Sequence, residues 1–400
     1  MHHFGEKTKI NLDFGRFCII FVLEFGGSLS FLACSVPSNR SPSITYCQTI
    51  YNFINMKYIN IFILCALLAG CTMNELGESS KTVQKLAPDF YSMTVTGDAG
   101  FDLFLSQGGA SSADELGVFL GDYLSAGPYG ELKCQPRTGD IACSALRAMT
   151  ADGAPLVGRN FDWNNCQAMV IRCLPANGYA SVSTANLDFL GFGDDYKPEG
   201  MINRFKAVAG VYVPMDGINE KGLVVADLMA GDDEVTNQTC DTQPDLTTTT
   251  AIRLLLNRAA DVQEALALLQ QYNMHSDIGT AHHLFIADAA GHSVCVEWAD
   301  NRMYVMETNV LNNHYLCSAK QGITSGEESN RHEAILLRWY DEHNGILTAA
   351  QMADALQEAQ SLPNGTYGGT QWSIVYDLRN CSATYYWQRA FTKSYPFSVR

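Results

Sequence analysis

The sequence predicts an α+β fold in which β-sheets are covered by a few helices. From Ile141 onwards, short runs rich in Val, Ile, Tyr and Trp are separated by turns of Asp, Asn and Gly, a texture typical of strands. Three later segments have helical periodicity instead. Many strands with few helices between them argue against the regular βαβ alternation of a doubly wound sheet.

The individual elements follow from these local patterns. The runs predicted as strands are APLVGRNF, KAVAGVYV, GLVVADLM, HHLFIAD, HSVCVEW, RMYVMETNVL, QWSIVYDL and ATYYWQ. The predicted helices span residues 249–272, 331–342 and 348 to about 360. Asp261 and Glu264 form a capping-box pattern inside the first helix, which predicts a break there, and Thr348 and Gln351 open the third.

A linker and a small helical prosegment are predicted for residues 72–142, ahead of one large domain at 143–400. Ser112, followed by Asp114 and Glu115, opens the apolar-periodic stretch LGVFLGDYL. Acidic side chains at that end agree with the dipole of a helix.

The N-terminal part of the chain carries an export pattern. Residues 56–71 join one charge, an apolar run and the tetrapeptide Leu-Ala-Gly-Cys, which resembles a bacterial lipobox that ends at Cys71. We therefore expect a signal peptide at 56–71, lipidation of Cys71 and a membrane partner through that lipid. The expected location is the bacterial cell envelope, periplasmic or outer-membrane-associated. Residues 1–55 are expected to be an upstream over-read of the gene without function.

Charge and cysteine usage exclude several classes. Acidic residues outnumber basic ones by 42 to 26, for a net charge of -16, which argues against a nucleic-acid partner. No zinc-ligand spacing occurs among the 13 cysteines, and no phosphate loop is present, so neither a metal nor a cofactor is expected. Cys166 and Cys173 are close in the sequence and are the expected couple for a disulfide. A homo-oligomer is left open.

Cys143 is the candidate nucleophile. A cysteine thiolate forms readily near neutral pH, and a free α-amine on the same residue, with an ordinary pKa of about 7.7–8.0, can act as its base. That arrangement requires a cut after Ala142. Arg159 and Asp162 follow Cys143 by 16 and 19 residues, across a predicted turn. An arginine favours a thiolate, and a carboxylate can orient an ammonium group. A surface Arg–Asp pair is the alternative interpretation.

A papain-type pairing of Cys143 with a histidine is a second interpretation. The candidates are His282, His283 and His314. Adjacent residues of a strand point to opposite faces, so His282 and His283 cannot both face the thiol, which favours structural roles.

Several of these runs together resemble a known family. Cys143-Ser144, GRNFDW at 158–163 and DGINEKGL at 216–223 resemble the choloylglycine hydrolase and penicillin V acylase family, linear amide hydrolases with an N-terminal nucleophile. The isopenicillin N acyltransferase branch is related to it. The resemblance extends from about 141 to 386. It implies a four-layer αββα sandwich, with Cys143 as nucleophile and base and with Arg159 and Asp162 beside it.

The resemblance also implies an oxyanion hole. One donor is the backbone N–H of Met229, where many relatives have Asn, and the other is the side-chain amide of Asn313 in VLNNHY, with Asn312 as the neighbouring alternative. Such an amide is worth about 10²–10³ in rate. The late arginine of the family matches Arg331. Without the resemblance, Asn313 would be a turn residue and Arg331 a solvated helix cation.

The function implied by the resemblance is hydrolysis of C–N bonds in linear amides through a thioester. The expected partner is a small N-acyl amide, such as a conjugated bile acid, penicillin V or an N-acyl amino acid. Acyl transfer of the isopenicillin N type and a non-catalytic, lipid-anchored binding protein are the two alternatives. A mature polypeptide that begins at Cys143 would distinguish the enzyme from the binding protein.

Overall fold

The computed structural model describes residues 23–25, 28–30, 75–124, 143–193, 195–230, 235–277, 280–320, 326–364 and 368–400. The chain divides into two compact units, 1–67 and 68–400. In the first unit, strands β1 (Leu23–Phe25) and β2 (Ser28–Ser30) form an antiparallel hairpin. The signal peptide, Cys71 and Ala142 lie outside the described residues.

The second unit contains the other described strands and the α-helices named below. Its strands are β3 (Gln84–Ala87), β4 (Phe90–Thr96), β5 (Ser144–Met149), β6 (Pro155–Asp162), β7 (Ala168–Leu174), β8 (Ser181–Asn186), β9 (Pro214–Asn219), β10 (Val224–Met229), β11 (Asp245–Thr247), β12 (Asn273–His275), β13 (His282–Ala287), β14 (Ser293–Ala299), β15 (Arg302–Glu307), β16 (Val310–Leu311), β17 (Thr370–Asp377), β18 (Ser382–Trp387) and β19 (Ser394–Ser398). Besides the helical residues 75–81, its α-helices are α1 (Phe101–Ser106), α2 (Ala113–Leu124), α3 (Gly200–Lys206), α4 (Thr248–Arg258), α5 (Val262–Leu269), α6 (Glu327–Glu342) and α7 (Ala349–Glu358).

Two large sheets dominate this unit. The nine-stranded sheet has the order β15-β14-β13-β10-β9-β8-β7-β4-β3, and the six-stranded sheet has the order β16-β5-β6-β17-β18-β19. Neighbouring strands are antiparallel except for β4 and β7, which are parallel. Strands β11 and β12 form a separate parallel pair.

The two large sheets pack face to face. Asp216 of β9 accepts hydrogen bonds from Trp372 Nε1 at 2.9 Å and from the Tyr376 hydroxyl at 3.0 Å, both on β17 of the other sheet. Helix α4 lies against β9 and β10 on one outer face, while α7 lies against β6 and β17 on the other. The order of layers is therefore helix, sheet, sheet, helix, which confirms the predicted four-layer αββα sandwich.

The NEKGL turn between β9 and β10 shows why its residue types are needed. The Asn219 side-chain oxygen accepts from the main-chain N–H groups of Lys221 and Leu223 at 3.0 and 3.1 Å. Gly222 has φ +82°, and a Cβ there would lie 2.3 Å from the Leu378 carbonyl oxygen. Only glycine tolerates both conditions, so the turn joins the strands without strain.

The helix predictions hold, with small shifts of the ends. The predicted break is confirmed, since Asp261 caps α5 by accepting from the Glu264 N–H at 2.8 Å. Thr348 and Gln351 form the expected capping box of α7. The strand prediction for KAVAGVYV is wrong, because Ala207–Tyr212 is a buried 3₁₀ helix. A short apolar run does not distinguish the two by periodicity.

The prosegment is not purely helical, which corrects the sequence prediction. Helices α1 and α2 are present, but β3 and β4 extend the nine-stranded sheet. Strand β4 has the sequence FYSMTVT, and its buried residues include Phe90, Met93 and Val95. It pairs with β7 along its whole length. Strand β4 is therefore part of the main core, and β3 extends the sheet at its edge.

The expected disulfide is also absent. Cys166 and Cys173 are free and buried. Cys166 precedes strand β7 and Cys173 lies near its C-terminal end, so the length of the strand separates them. A strand rises about 3.3 Å per residue, so their Cα atoms are much farther apart than a disulfide permits. Separately, no helix in the described ranges has the length and apolar character to cross a membrane.

Candidate active site

Cys143 directly precedes β5, and the register of a hairpin explains its spacing to Arg159 and Asp162. Ala145 pairs with Arg159 and Ser144 with Asn160 across β5 and β6, which continues the ladder from Cys143 towards Asp162. The Cys143 sulfur lies close enough to the Arg159 guanidinium and to the main-chain N–H of Asp162 for both groups to lower its pKa. The structure thus brings the three predicted residues together.

The thiol of Cys143 is enclosed, with 1% of the residue exposed. Burial raises its pKa to about 11, even though Arg159 and the Asp162 N–H lower it. The Asp162 carboxylate opposes them by raising it. In the continuous chain the thiol is therefore protonated at neutral pH.

Arg159 lies between the sheets with no exposed surface. Its Nη1 donates to the Asn160 carbonyl at 2.8 Å, and its Nη2 donates to the main-chain carbonyl of Asp227 on β10. Its Nε lies 3.8 Å from Asp216 Oδ2, and neither side chain is exposed. Asp216 begins the DGINEKGL run, but its role as the counter-ion of Arg159 was not predicted.

Asp162 is held by groups that the sequence reasoning missed. Its carboxylate accepts from Thr370 Oγ1 at 2.5 Å and from Ser361 Oγ at 3.0 Å. Burial raises its pKa to about 7, while these two hydroxyls and Arg159 lower it. Thr370 and Ser361 come from 208 and 199 residues away along the chain, and no local pattern connects them to Asp162.

Asn313 joins the two sheets beside Cys143. Its Oδ1 accepts from the Cys143 main-chain N–H, and its Nδ2 donates to the Met229 carbonyl at 3.0 Å. Ala230 N donates to Ala281 O at 2.9 Å. Hydrogen-bonded and non-hydrogen-bonded pairs alternate along an antiparallel ladder, so the preceding pair, Met229 and His282, makes no main-chain hydrogen bond. The N–H of Met229 thus points to the same side as its carbonyl, towards Asn313.

Asn312, the neighbouring alternative, faces elsewhere. Its side-chain Nδ2 donates to the Ser329 carbonyl at 2.9 Å, and the residue is fully buried. Of the two asparagines, Asn313 is therefore the one whose side chain contacts Cys143.

Arg331 makes no hydrogen bond to Cys143 or Asp162, although the Asp162 carboxylate is near enough to raise its pKa, so its catalytic role stays a prediction. Its guanidinium is partly exposed and bonds Glu328 at 2.7 Å and the Gln360 carbonyl at 2.7 Å. The next residue, His332, is buried, with Nδ1 3.6 Å from Asp162 Oδ2. Burial, then Arg331, lowers the pKa of His332 to about 4. Successive helical residues differ by about 100° in direction, so only one of the two can face the sheet.

The histidines of the papain-type interpretation have other partners. His282 Nδ1 lies 2.9 Å from Asp227 Oδ1, and His283 Nδ1 lies 3.0 Å from Glu297 Oε1. They lie on opposite faces of β13, as the sequence predicted. His314 Nε2 is 3.7 Å from Glu333. These contacts give each histidine a carboxylate neighbour in place of the thiol.

One group of described side chains has the composition of a metal site. Atoms of His283, Cys295 and Glu297 lie within 4.8 Å of one another, and all three residues are buried. Both Glu297 oxygens, however, already accept main-chain N–H groups, from Leu316 and Cys317 at 2.8 Å each. Hydrogen bonds therefore account for this cluster.

The family comparison now agrees with the geometry. Residues 143–315, which start at the buried thiol, match the family model described as linear amide C-N hydrolases, choloylglycine hydrolase family. This segment, 173 of the 400 residues, is similar to the choloylglycine hydrolase family. The domain is accordingly an amidohydrolase that acts on linear amides.

Comparison with solved structures gives weaker matches. A variant of conjugated bile acid hydrolase from Clostridium perfringens is 16% identical, with a TM-score of 0.47 over 64% of this chain and 92% of that chain. Penicillin V acylase from Agrobacterium tumefaciens is 16% identical, with a TM-score of 0.43 over 61% of this chain and 83% of that chain. A comparison with curated proteins finds no match.

Proposed function

We propose that this choloylglycine hydrolase domain cleaves N-acyl amides with Cys143 as its nucleophile, through a thioester. The observation that carries the proposal is the double contact of Cys143. Its sulfur meets Arg159 and the Asp162 N–H, and its main-chain nitrogen meets Asn313. One residue thus presents both a nucleophile and a latent amine to the same cluster.

A cut after Ala142 would activate this arrangement. It frees the α-amine of Cys143, whose ordinary pKa of about 7.7–8.0 makes it a suitable base at neutral pH. The buried thiol, with its pKa raised to about 11, needs such a base. Asp162 lies close enough to the sulfur to influence its pKa, and as a carboxylate it can orient the new ammonium group.

The reaction then takes two steps. The amine accepts the thiol proton, the sulfur attacks the amide carbon, and the C–N bond breaks as the leaving nitrogen receives that proton. Water, deprotonated by the amine, attacks the thioester, and the C–S bond breaks to return the thiol. One Nδ2 hydrogen of Asn313 donates to Met229 O, so the other can donate to the oxyanion together with the Met229 N–H.

The substrate class is an N-acyl amide such as a conjugated bile acid, penicillin V or an N-acyl amino acid. The named relatives act on the first two classes by their descriptions, a conjugated bile acid hydrolase and a penicillin V acylase. Acyl transfer to an amine is the alternative outcome, and it is assayed with the same acyl donor in the presence and absence of an acceptor amine.

We also propose that the enzyme is exported and lipid-anchored through Cys71. The lipobox-like run at 56–71 supports this location in the bacterial envelope. Labelling with a radioactive fatty acid tests it, with Cys71→Ser as the control. A parent protein that takes up no more label than this variant rules the anchor out.

The decisive experiment combines processing and activity. Mass spectrometry of the purified protein should find a polypeptide that begins at Cys143, and Cys143→Ala should lose hydrolysis of whichever of the three amide classes the parent cleaves. Cys173→Ser, a buried cysteine outside the site, is the matched control and should keep activity. Full activity in Cys143→Ala refutes the proposal, and an uncut, inactive parent chain favours a binding protein.

A further inference from the structure

The segment from Asn312 to Cys317, called here the asparagine loop, carries Asn313 from the end of β16 to its place beside Cys143. We propose that the buried pair His283 and Glu297 positions this loop, and through it the amide of Asn313. This inference rests on the oxyanion role proposed for Asn313. Neither residue of the pair belongs to a motif that indicated the reaction.

Glu297 holds the C-terminal end of the loop. Its Oε1 accepts from the Leu316 N–H and its Oε2 from the Cys317 N–H, both at 2.8 Å. Burial by itself raises the pKa of this carboxyl, but His283 and the two main-chain donors prevail and lower it to about 2. The side chain therefore remains a carboxylate, which needs those donors, at every pH where an amidase is assayed.

His283 holds the N-terminal end of the same loop. Its Nε2 lies 2.8 Å from the Asn312 carbonyl, and its Nδ1 lies 3.0 Å from Glu297 Oε1. Each ring nitrogen therefore has an oxygen within hydrogen-bond distance. The pair thus forms one continuous bridge from the residue before Asn313 to the end of the loop.

The pair links the nine-stranded sheet to the loop that carries Asn313. His283 and Glu297 lie on the paired strands β13 and β14 of the nine-stranded sheet, and neither side chain is exposed. Asn313 contacts Cys143 of the six-stranded sheet and Met229 of the other, so the loop determines how the amide spans them. An error of about 1 Å in such a group can cost about 10²-fold in rate.

A second anchor keeps the loop folded when the pair is weakened. Ser329 on α6 accepts the Asn313 N–H at its Oγ at 3.0 Å, and its carbonyl accepts from Asn312 Nδ2 at 2.9 Å. Loss of one contact to Glu297 should therefore loosen Asn313 rather than unfold the domain.

The test is a double-variant cycle of Glu297→Gln and Asn313→Ala on the processed enzyme, with penicillin V or whichever of the three amide classes is hydrolysed. Glutamine places an NH₂ group against one of the two main-chain donors of the loop. Glu297→Gln should lower kcat by about 10–100-fold with KM within about 3-fold. In the Asn313→Ala background it should lower kcat by less than about 3-fold, because the amide it positions is gone.

Cys295→Ser is the matched control. Its sulfur contacts the pair, at 3.4 Å from Glu297 Oε1 and 3.6 Å from His283 Nδ1, and these two hydrogen bonds go to the pair rather than to a main-chain group of the loop. This nearly isosteric change should leave kcat within about 2-fold. A large loss in this variant would mean that any disturbance of the cluster is harmful, which overturns the proposal.

The remaining outcomes separate the two levels of inference. An equal loss of kcat from Glu297→Gln in both backgrounds indicates a merely structural role and overturns the positioning proposal. A nearly unchanged kcat in Asn313→Ala alone removes the oxyanion assignment instead. If Glu297→Gln does not yield folded protein, His283→Gln enters the same cycle, and additive losses there again refute the proposal.

Discussion

Replacement of Arg159 by methionine should destabilise the fold as well as the thiolate. The change removes a buried cation whose Nε lies 3.8 Å from Asp216 Oδ2. At an effective dielectric constant of about 20, two charges at this separation attract by about 4 kcal/mol. Removal of one partner of a buried pair costs about 3–5 kcal/mol, because the other charge is left uncompensated. We expect a loss of that size in the free energy of unfolding.

The measurement is urea unfolding of the full chain, followed by tryptophan fluorescence, with a thermal scan as a check. For a domain of this size, about 2–4 °C in Tm is expected per kcal/mol. Asp216→Asn, added to the same variant, removes the uncompensated carboxylate and should recover about half of the loss. It should not restore the thiolate, because Arg159 is one of the groups that lower the pKa of Cys143.

Alkylation of Cys143 by iodoacetamide at a fixed pH reports on that second effect. Both the single and the double variant should react more slowly than the parent. Arg159→Lys, which keeps the charge but loses the fork of donors, is the control for charge alone. A single variant within about 1 kcal/mol of the parent, or a double variant no more stable than the single one, would refute the reasoning.

Three further predictions follow from other contacts. Burial raises the pKa of Asp162 to about 7, so its contribution to stability is full below its ordinary pKa and is lost as the pH rises through 7. Thr370→Val removes a hydroxyl that favours the carboxylate, so the pH at which this stability is lost should rise by about one to two units in urea titrations. An unchanged dependence of stability on pH would contradict this prediction. Gly217→Ala would place a Cβ 2.8 Å from a backbone oxygen and should lower the free energy of unfolding by about 1–3 kcal/mol. Gly121→Ala, at a helical position where the Cβ meets nothing within 4 Å, should raise it by about 0.5–1 kcal/mol. Equal unfolding midpoints of the two variants would exclude the steric argument. After a cut at Cys143, residues 75–124 should co-elute with the domain in gel filtration, because β4 is paired throughout with β7; fragments that separate would disprove it.

Part of the site could be predicted from contacts between residues that are close in the sequence. The return of the chain at β6 is encoded by a strand-forming run after an Asp-Gly turn, and the register of the hairpin with β5 brings Arg159 and Asp162 to Cys143. The caps at Asp261 and Thr348 are equally local, since each side chain accepts from an N–H three residues away. Such features depend on neighbours in the chain, and the sequence therefore predicts them.

The remaining parts of the site depend on contacts that only the folded chain creates. Thr370 and Ser361 reach Asp162 across about half of the sequence, and Asp216 meets Arg159 only after the two sheets have packed. A helix places His332 rather than Arg331 against the carboxylate, which a linear match cannot distinguish.

The sequence by itself determined that Cys143 is followed, in the right register, by the residues that can activate it. The tertiary structure decided how deeply those residues are buried and which distant groups contact them. Burial holds the pKa of the Cys143 thiol at about 11 in the continuous chain, and Asn313 reaches its nitrogen only because the loop that carries it is held between two sheets. Desolvation and long-range contacts are properties of the packed molecule, because they arise only when distant segments exclude water from the same site.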